Sequence, residues 1–263
     1  MDLAIFEGWY FYLFIFLMGL TLGSFLNSWI WRRWENVRIV AGRSICIHCR
    51  RQLYWFENIP LLSFMWLGGR CRTCRRSISW HYPALELFMA VALVVIAWYR
   101  VNYGLFTPWL FFRDVFYITF LTVIFTFDAL HQVILPGVVW IGAVIGLLLN
   151  VLVFHYSLIA LGLAALTAGG FFGLQYLVSR GRWIGGGDVR LGVMMGFWVG
   201  WPSILIALFI AYILGASIGV ILLITKKKQW NSALPFGTFL CVGTLFGTYF
   251  DSNFIAWFLN FYK

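Results

Sequence analysis

Acidic side chains are scarce in this sequence. Nine aspartates and glutamates face nineteen lysines and arginines among 263 residues, and charged residues of both signs reach only 11%. With a hydrophobic share of 62%, a soluble domain of this size is excluded, because one core could not hide that much apolar surface. A repeat of solenoid period and a low-complexity tail are also missing. The first apolar run has no basic segment ahead of it, only Asp2 and Glu7. It is also too long and aromatic for a cleavable signal peptide, so a retained first span is expected.

What is present is a succession of apolar runs, each long enough to cross a bilayer as a helix. The reading is an all-α polytopic membrane protein with about eight spans: 9–31, 82–99, 109–127, 134–153, 157–178, 188–201, 203–224 and 233–250. Alternate loops, 32–81, 128–133, 179–187 and 225–232, then share one side. Sixteen of the nineteen basic residues lie in or beside them, leaving Arg100, Arg113 and Lys263. The positive-inside rule makes this side cytoplasmic and puts both termini outside. The net charge of +10 is thereby accounted for as topology, and no nucleic-acid partner is expected.

Three regions follow: a first span (1–31), a polar module (32–81) and a membrane bundle (82–263). The module contains four of the five cysteines, as Cys46-Ile47-His48-Cys49 and Cys71-Arg72-Thr73-Cys74 with 21 residues between the pairs. Each C-x2-C can offer two thiolates from one turn, and two turns supply the corners of a tetrahedron, which suits structural zinc. Two disulfides or free thiols are the rival reading, and the reducing cytoplasm disfavours the disulfides; His48 could replace one cysteine, though the all-thiolate set is simpler. Cys241, in an apolar run, reads as a small buried hydrophobe.

The acids sort by position. Asp2, Glu7, Asp114 and Asp251 fall on the outer side or outer half, Glu35 and Glu57 in the basic module, and Glu86 at a helix start. Asp128 and Asp188 remain, at cytoplasmic helix ends. Asp128 follows the apolar run 116–127, and Asp188 follows Gly185-Gly186-Gly187. Ionisable groups in such places mark a function or have a partner. Two carboxyls in contact share a proton, one activating a water and the other polarising a scissile carbonyl. A proton or cation path uses such acids too, and these residues alone leave both readings open.

Taken together, the motifs strongly resemble those of the type IV prepilin peptidases, the leader peptidase and N-methyltransferase of pilus and type II secretion systems. The resemblance rests on GSFLN at 23–27, the two C-x2-C pairs, ENIPLLS at 57–63, GRCRTC at 69–74, YPALE at 82–86, FDALHQVILP at 127–136 and GGGDVRLG at 185–192. It implies a G-x-G-D aspartyl protease with Asp188 and Asp128 as the catalytic acids. The implied substrates are prepilins or pseudopilins, cut after the leader's terminal glycine at the cytoplasmic face. The new amino terminus would then be methylated with S-adenosylmethionine. Gly23, Asn27, Asn58 and Glu86 are candidates for the methyl-donor pocket.

Some positions depart from the family pattern. Leu130 and Gly137 stand where many relatives have further acids, which leaves Asp128 without a local competitor. Arg32-Arg33-Trp34 and Glu57 also differ, in the part associated with methylation. Two rivals follow from the same residues: a transporter using the aspartates, and a non-catalytic assembly subunit that docks partners through its zinc loop.

Overall fold

The computed structural model describes residues 8–37, 43–226 and 234–249. Both chain ends, with their expected outside placement, and most of the 225–232 loop lie outside the described residues. The elements are α1 (Trp9–Trp34), a 3-10 turn (Trp55–Asn58), α2 (Leu62–Trp66), α3 (His81–Asn102), α4 (Pro108–His131) and α5 (Pro136–Leu148), which runs on as a π-helical turn (Leu149–Val153). Then come α6 (Leu158–Ser179), α7 (Gly186–Val199), α8 (Ser203–Ile224) and α9 (Phe236–Tyr249). Among the described residues there is no sheet, only two isolated bridges, Ile45 to Gln52 and Arg70 to Ser77.

Every expected span coincides with a helix, but among the described residues six helices are long and apolar enough to cross a membrane: α1, α3, α4, α5 with its π turn, α6 and α8. This corrects the expected eight. Helix α7 has 14 residues, and α9 has 14 up to Tyr249, where the described residues end. At 1.5 Å per residue α7 reaches about 21 Å, short of a hydrocarbon core of about 30 Å. Helix α7 packs against α5, α6, α8 and α9, so its neighbours are protein and it needs neither the length nor the uniform apolarity of a lipid-facing span. A second boundary also moves. Asp128 belongs to α4 rather than to a loop at 128–133, because the Gln132 N–H still closes a helical turn onto the Asp128 carbonyl at 2.9 Å.

The chain forms two compact units, Met1–Thr119 and Phe120–Lys263. In the first, α1 packs along α3. Gly19 and Gly23, one turn apart on α1, meet Ala90 and Glu86, one turn apart on α3. A Cβ at Gly19 would lie 2.5 Å from the Ala90 Cα, and one at Gly23 2.6 Å from the Glu86 Cα. This small-xxx-small pair is what lets the two backbones touch, and it sets the Glu86 side chain beside α1.

The first unit also explains the two arginines that defy the charge asymmetry. Arg100, at the end of α3, donates from Nε to Asp114 Oδ2 at 2.8 Å, and Arg113 donates to Oδ1 at 3.2 Å. All three side chains are buried. An arginine paired in this way is held by its carboxylate rather than by loop topology.

In the second unit α7 is the hub, burying Leu191, Met194, Met195 and Trp198. Its far end is held by Asn150 of the π turn, whose amide donates to the Phe197 carbonyl at 2.8 Å.

Candidate functional site

The two cysteine pairs form duplicate knuckles. Cys46 N–H donates to the Arg51 carbonyl and Cys71 N–H to that of Arg76, each at 2.9 Å. Arg50 N–H returns to Cys46, and Arg75 N–H to Cys71. Leu53 closes on Ser44 and Ile78 on Gly69, each at 2.7 Å. Arg50 and Arg75 share the left-handed backbone, at φ +57° and +59°. Every one of these features recurs at an offset of 25 residues, and so does the string Cys-x-x-Cys-Arg-Arg that encodes it.

The knuckles bring all four Sγ atoms within 4.8 Å of one another. Cys46 and Cys74 sulfurs lie 3.9 Å apart, far beyond the roughly 2.05 Å of a disulfide. A tetrahedral ion with metal–sulfur bonds of about 2.3 Å sets its sulfurs about 3.8 Å apart, so the donor set fits such an ion. Electrostatics point the same way. Backbone N–H groups, that of Cys74 foremost, pull the Cys71 thiol down to about 6. At Cys74 the Arg76 N–H favours the thiolate, but burial and the three neighbouring sulfurs outweigh it and push the thiol up to about 11. The cluster therefore resists four negative charges unless a cation joins it.

Beside the knuckles, within the same unit, is a cavity of about 170 Å³. Asn27, Asn58 and Glu86 all line it, as do Glu57, Trp31 and Tyr82. The sequence-level candidates thus meet at one place, with Gly23 at the helix crossing behind Glu86. Two acids in one wall are treated differently. Glu57 accepts from Arg51 at 2.7 and 3.0 Å and from the Tyr54 N–H at 2.8 Å. The Arg51 guanidinium, ahead of that N–H, holds the Glu57 carboxyl below the usual carboxylate range. Glu86 accepts from the Leu61 N–H at 2.8 Å and from the Ser24 hydroxyl, and among the described residues no cation bridges it. Asn27 donates to the Tyr82 carbonyl at 2.9 Å, while its own buried Oδ1 has no partner among the described residues. Sequence reasoning assigned Glu57 to the basic loop and missed its clamp by Arg51.

The second unit holds the aspartate pair. Asp188 is the third residue of α7, and its Oδ2 accepts from the Gly185 N–H at 3.1 Å. Asp128 comes from the last turn of α4, and its Oδ2 accepts from the Thr238 N–H at 2.9 Å and from the Gly237 N–H. Gly237 and Thr238 open α9. Each carboxylate therefore sits at a helix N-terminus, where unpaired N–H groups and the dipole favour negative charge. Helices α7 and α9 pack together, and Asp128 lies within electrostatic reach of Asp188. Ile134 joins the two sides: it lies 2.9 Å from where a Gly187 Cβ would stand and 2.9 Å from where a Gly237 Cβ would. Both aspartates are more than nine-tenths buried.

The contact of the α9 start with Asp128 was not foreseen. Pro235 signals a helix beginning, but nothing local ties Thr238 to a carboxylate 110 residues earlier.

Comparison with known proteins bears on both units. Residues 17–100 match the bacterial peptidase A24 N-terminal domain, and residues 115–220 match the type IV leader peptidase family. A prepilin leader peptidase/N-methyltransferase of Legionella pneumophila is 30% identical, the match covering 97% of this chain and 96% of the relative. Proteins of the same description from Bacillus subtilis and Pseudomonas aeruginosa are each 29% identical, covering 94% and 86% of this chain and 97% and 86% of their own lengths. No solved structure matches. The chain belongs to the type IV prepilin leader peptidase/N-methyltransferase family.

Proposed function

We propose that this chain removes the leader from prepilins or type II secretion pseudopilins with Asp128 and Asp188, and then methylates the new amino terminus. The observation that most supports the peptidase residues is the pairing of two buried aspartates at the starts of α7 and α9, within reach of each other's charge. Donors from two helix ends offset the cost of one negative charge there, and a second adjacent charge is opposed, so the pair suits a single shared proton. The ionised partner takes a proton from water as the water attacks the scissile carbonyl. The protonated partner donates to the carbonyl oxygen, and the departing amine then recovers a proton. No observation favours the transporter or the assembly subunit over this reading.

The four cysteines would hold zinc as a closed, structural site. Residues 32–81 act as a cytoplasmic module and 82–263 as the protease bundle, with the basic loops inside, both termini periplasmic and the host membrane the bacterial inner membrane. S-adenosylmethionine would supply the methyl group when bound. The test is incubation of the purified chain with a prepilin and the methyl donor, followed by mass measurement of the product. Loss of the leader together with a gain of one methyl group is expected; an intact prepilin would sink the reading.

A finer variant tests the α9 contact. A Cβ at Gly237 would stand 2.9 Å from Asp128 Oδ2, so Gly237→Ala must displace that carboxylate or the turn that holds it. Displacement of a reacting group by about 1 Å costs on the order of 10²-fold. Cleavage by Gly237→Ala should fall by that order with expression unchanged, and an unaltered rate would show that the α9 contact does not position Asp128.

A further inference from the structure

We propose that the cysteine module lies on the bilayer beside α3, with an aromatic face made by α2, the 3-10 turn and Trp80 seated among the anionic headgroups of the cytoplasmic leaflet. The leaflet follows from the topology proposed above, with the basic loops inside; neither catalytic activity enters the argument.

The face continues a surface that already meets lipid. Along α3 the exposed residues Ala84, Leu87, Phe88, Val91, Val95 and Trp98 recur at helical spacing and form one stripe. Trp80, one turn before Ala84, has helical backbone at φ −60° and ψ −17° and is 76% exposed, so it extends the stripe out of the span. Phe64 of α2 packs against the Trp80 ring at 4.8 Å, and the Leu61 N–H just ahead of α2 reaches Glu86. The loop thus touches α3 at two levels six residues apart, about 9 Å at 1.5 Å per residue. Interfacial helices bury themselves about 5–10 Å into the headgroup boundary. With 22 residues, α3 is about 33 Å long against a hydrocarbon core of about 30 Å, so its first turns belong to that boundary.

Helix α2 is sided to match. Ser63 and Phe64 line the cavity, whereas Leu62, Met65 and Trp66 are 62%, 74% and 91% exposed. Their spacing of three and four residues puts these three on one face. The 3-10 turn packs on α2 and adds exposed Tyr54 and Trp55. A helix of five residues is too short to persist in water without an apolar partner, and a patch of this kind marks a protein or membrane contact. Charge favours the membrane. Residues 32–81 hold ten arginines and two glutamates, a balance that anionic headgroups attract. Arg72 lies over the Phe56 ring at 5.6 Å, its stem on the aromatic patch and its head at the rim, as arginines lie at a lipid boundary. Tryptophans at headgroup level complete the pattern.

The test uses the full-length, metal-bound chain in lipid nanodiscs, labelled with 5-fluorotryptophan. The fluorine signals of Trp55, Trp66 and Trp98 are assigned through single Trp→Phe variants. A lipid with a nitroxide at the top of its acyl chain reports contact with the bilayer, and a gadolinium chelate reports contact with water. In discs containing phosphatidylglycerol, the nitroxide should broaden the Trp66 signal as strongly as that of Trp98, and the chelate should leave both sharp. In discs of phosphatidylcholine alone, the chelate should broaden Trp55 and Trp66 more. Leu62→Asn combined with Met65→Asn removes the apolar face while sparing Ser63 and Phe64; it should shift Trp66 from the nitroxide to the chelate with bound metal unchanged.

Broadening of Trp66 by the chelate and not by the nitroxide, in the parent chain, would overturn the seating. Were that signal then shielded by added prepilin, the face would be a substrate surface; were it shielded as chain concentration rises, an interface between copies. Nitroxide broadening that survives Leu62→Asn with Met65→Asn would show that attachment to α3 alone brings Trp66 near lipid, and would overturn the role of the α2 face. Equal responses in the two lipids would overturn the preference for anionic headgroups. Discs have no inner side, so these results do not depend on the topology, which trypsin access to the loop in inverted membrane vesicles tests separately.

Discussion

Asparagine at either Asp128 or Asp188 is expected to lower prepilin cleavage by at least about 10³-fold, within the range that general acid–base groups contribute. Because these carboxylates also cap helices, a structural role must be told apart from a chemical one, and asparagine does so. It is nearly isosteric with aspartate, and its side-chain oxygen can still accept from the Thr238 N–H in one case and the Gly185 N–H in the other. Asparagine ranks with aspartate as a helix cap, so unfolding temperature in detergent should change little. What it lacks is the ability to take or give the proton. Rates from product mass, read beside thermal unfolding, check this. Substantial residual cleavage by either variant would remove that residue from the chemistry, and a large fall in unfolding temperature would make the capping role primary.

Removing the metal should have the largest effect on structure. The segment 43–79 has two bridged residue pairs, a 3-10 turn and the five-residue α2, with many exposed aromatics, among them Trp55 and Trp66. So small a core cannot hold the loop alone, whereas structural zinc in zinc-finger peptides contributes about 10–16 kcal/mol to folding at neutral pH. The purified chain should contain one zinc per chain. Chelation, or Cys71→Ser, should expose the loop to trypsin at Arg50, Arg51, Arg70, Arg72, Arg75 and Arg76 while the membrane helices stay protected. Acid should act in the same direction, since protonated thiols release the ion as pH falls. A loop equally resistant with and without chelator, or a chain without bound metal, would contradict the assignment.

Much of this was legible in the residues. Apolar runs located every long helix, because lipid demands a continuous stretch of satisfied backbone. The expectation of a full span failed for α7, since apolarity reports burial without saying whether the neighbour is lipid or another helix. Asp128 was found by elimination at a helix end, but the span was drawn to stop at 127, although nothing between Asp128 and His131 breaks a helix. Two patterns were readable and went unread: Gly19-x-x-x-Gly23, which specifies the α1 contact with α3, and the repeat of Cys-x-x-Cys-Arg-Arg. Three of the four residues suggested for the donor pocket, Asn27, Asn58 and Glu86, line one cavity and Gly23 does not, and the unpartnered oxygen of Asn27 and the clamp of Arg51 on Glu57 needed coordinates. So did the capping of Asp128 by α9, which joins positions 110 residues apart.

The claim beneath the peptidase account is that Asp128 and Asp188 act as one unit. The most direct test compares cleavage by Asp128→Asn, Asp188→Asn and the double variant, in long incubations at high enzyme concentration. Groups that act together show grossly non-additive losses, so the double variant should cleave no more slowly than the slower single one. Losses that multiply, to about 10⁶-fold for two singles of about 10³-fold, would mean that the two carboxylates work independently, and the shared-proton mechanism would be wrong.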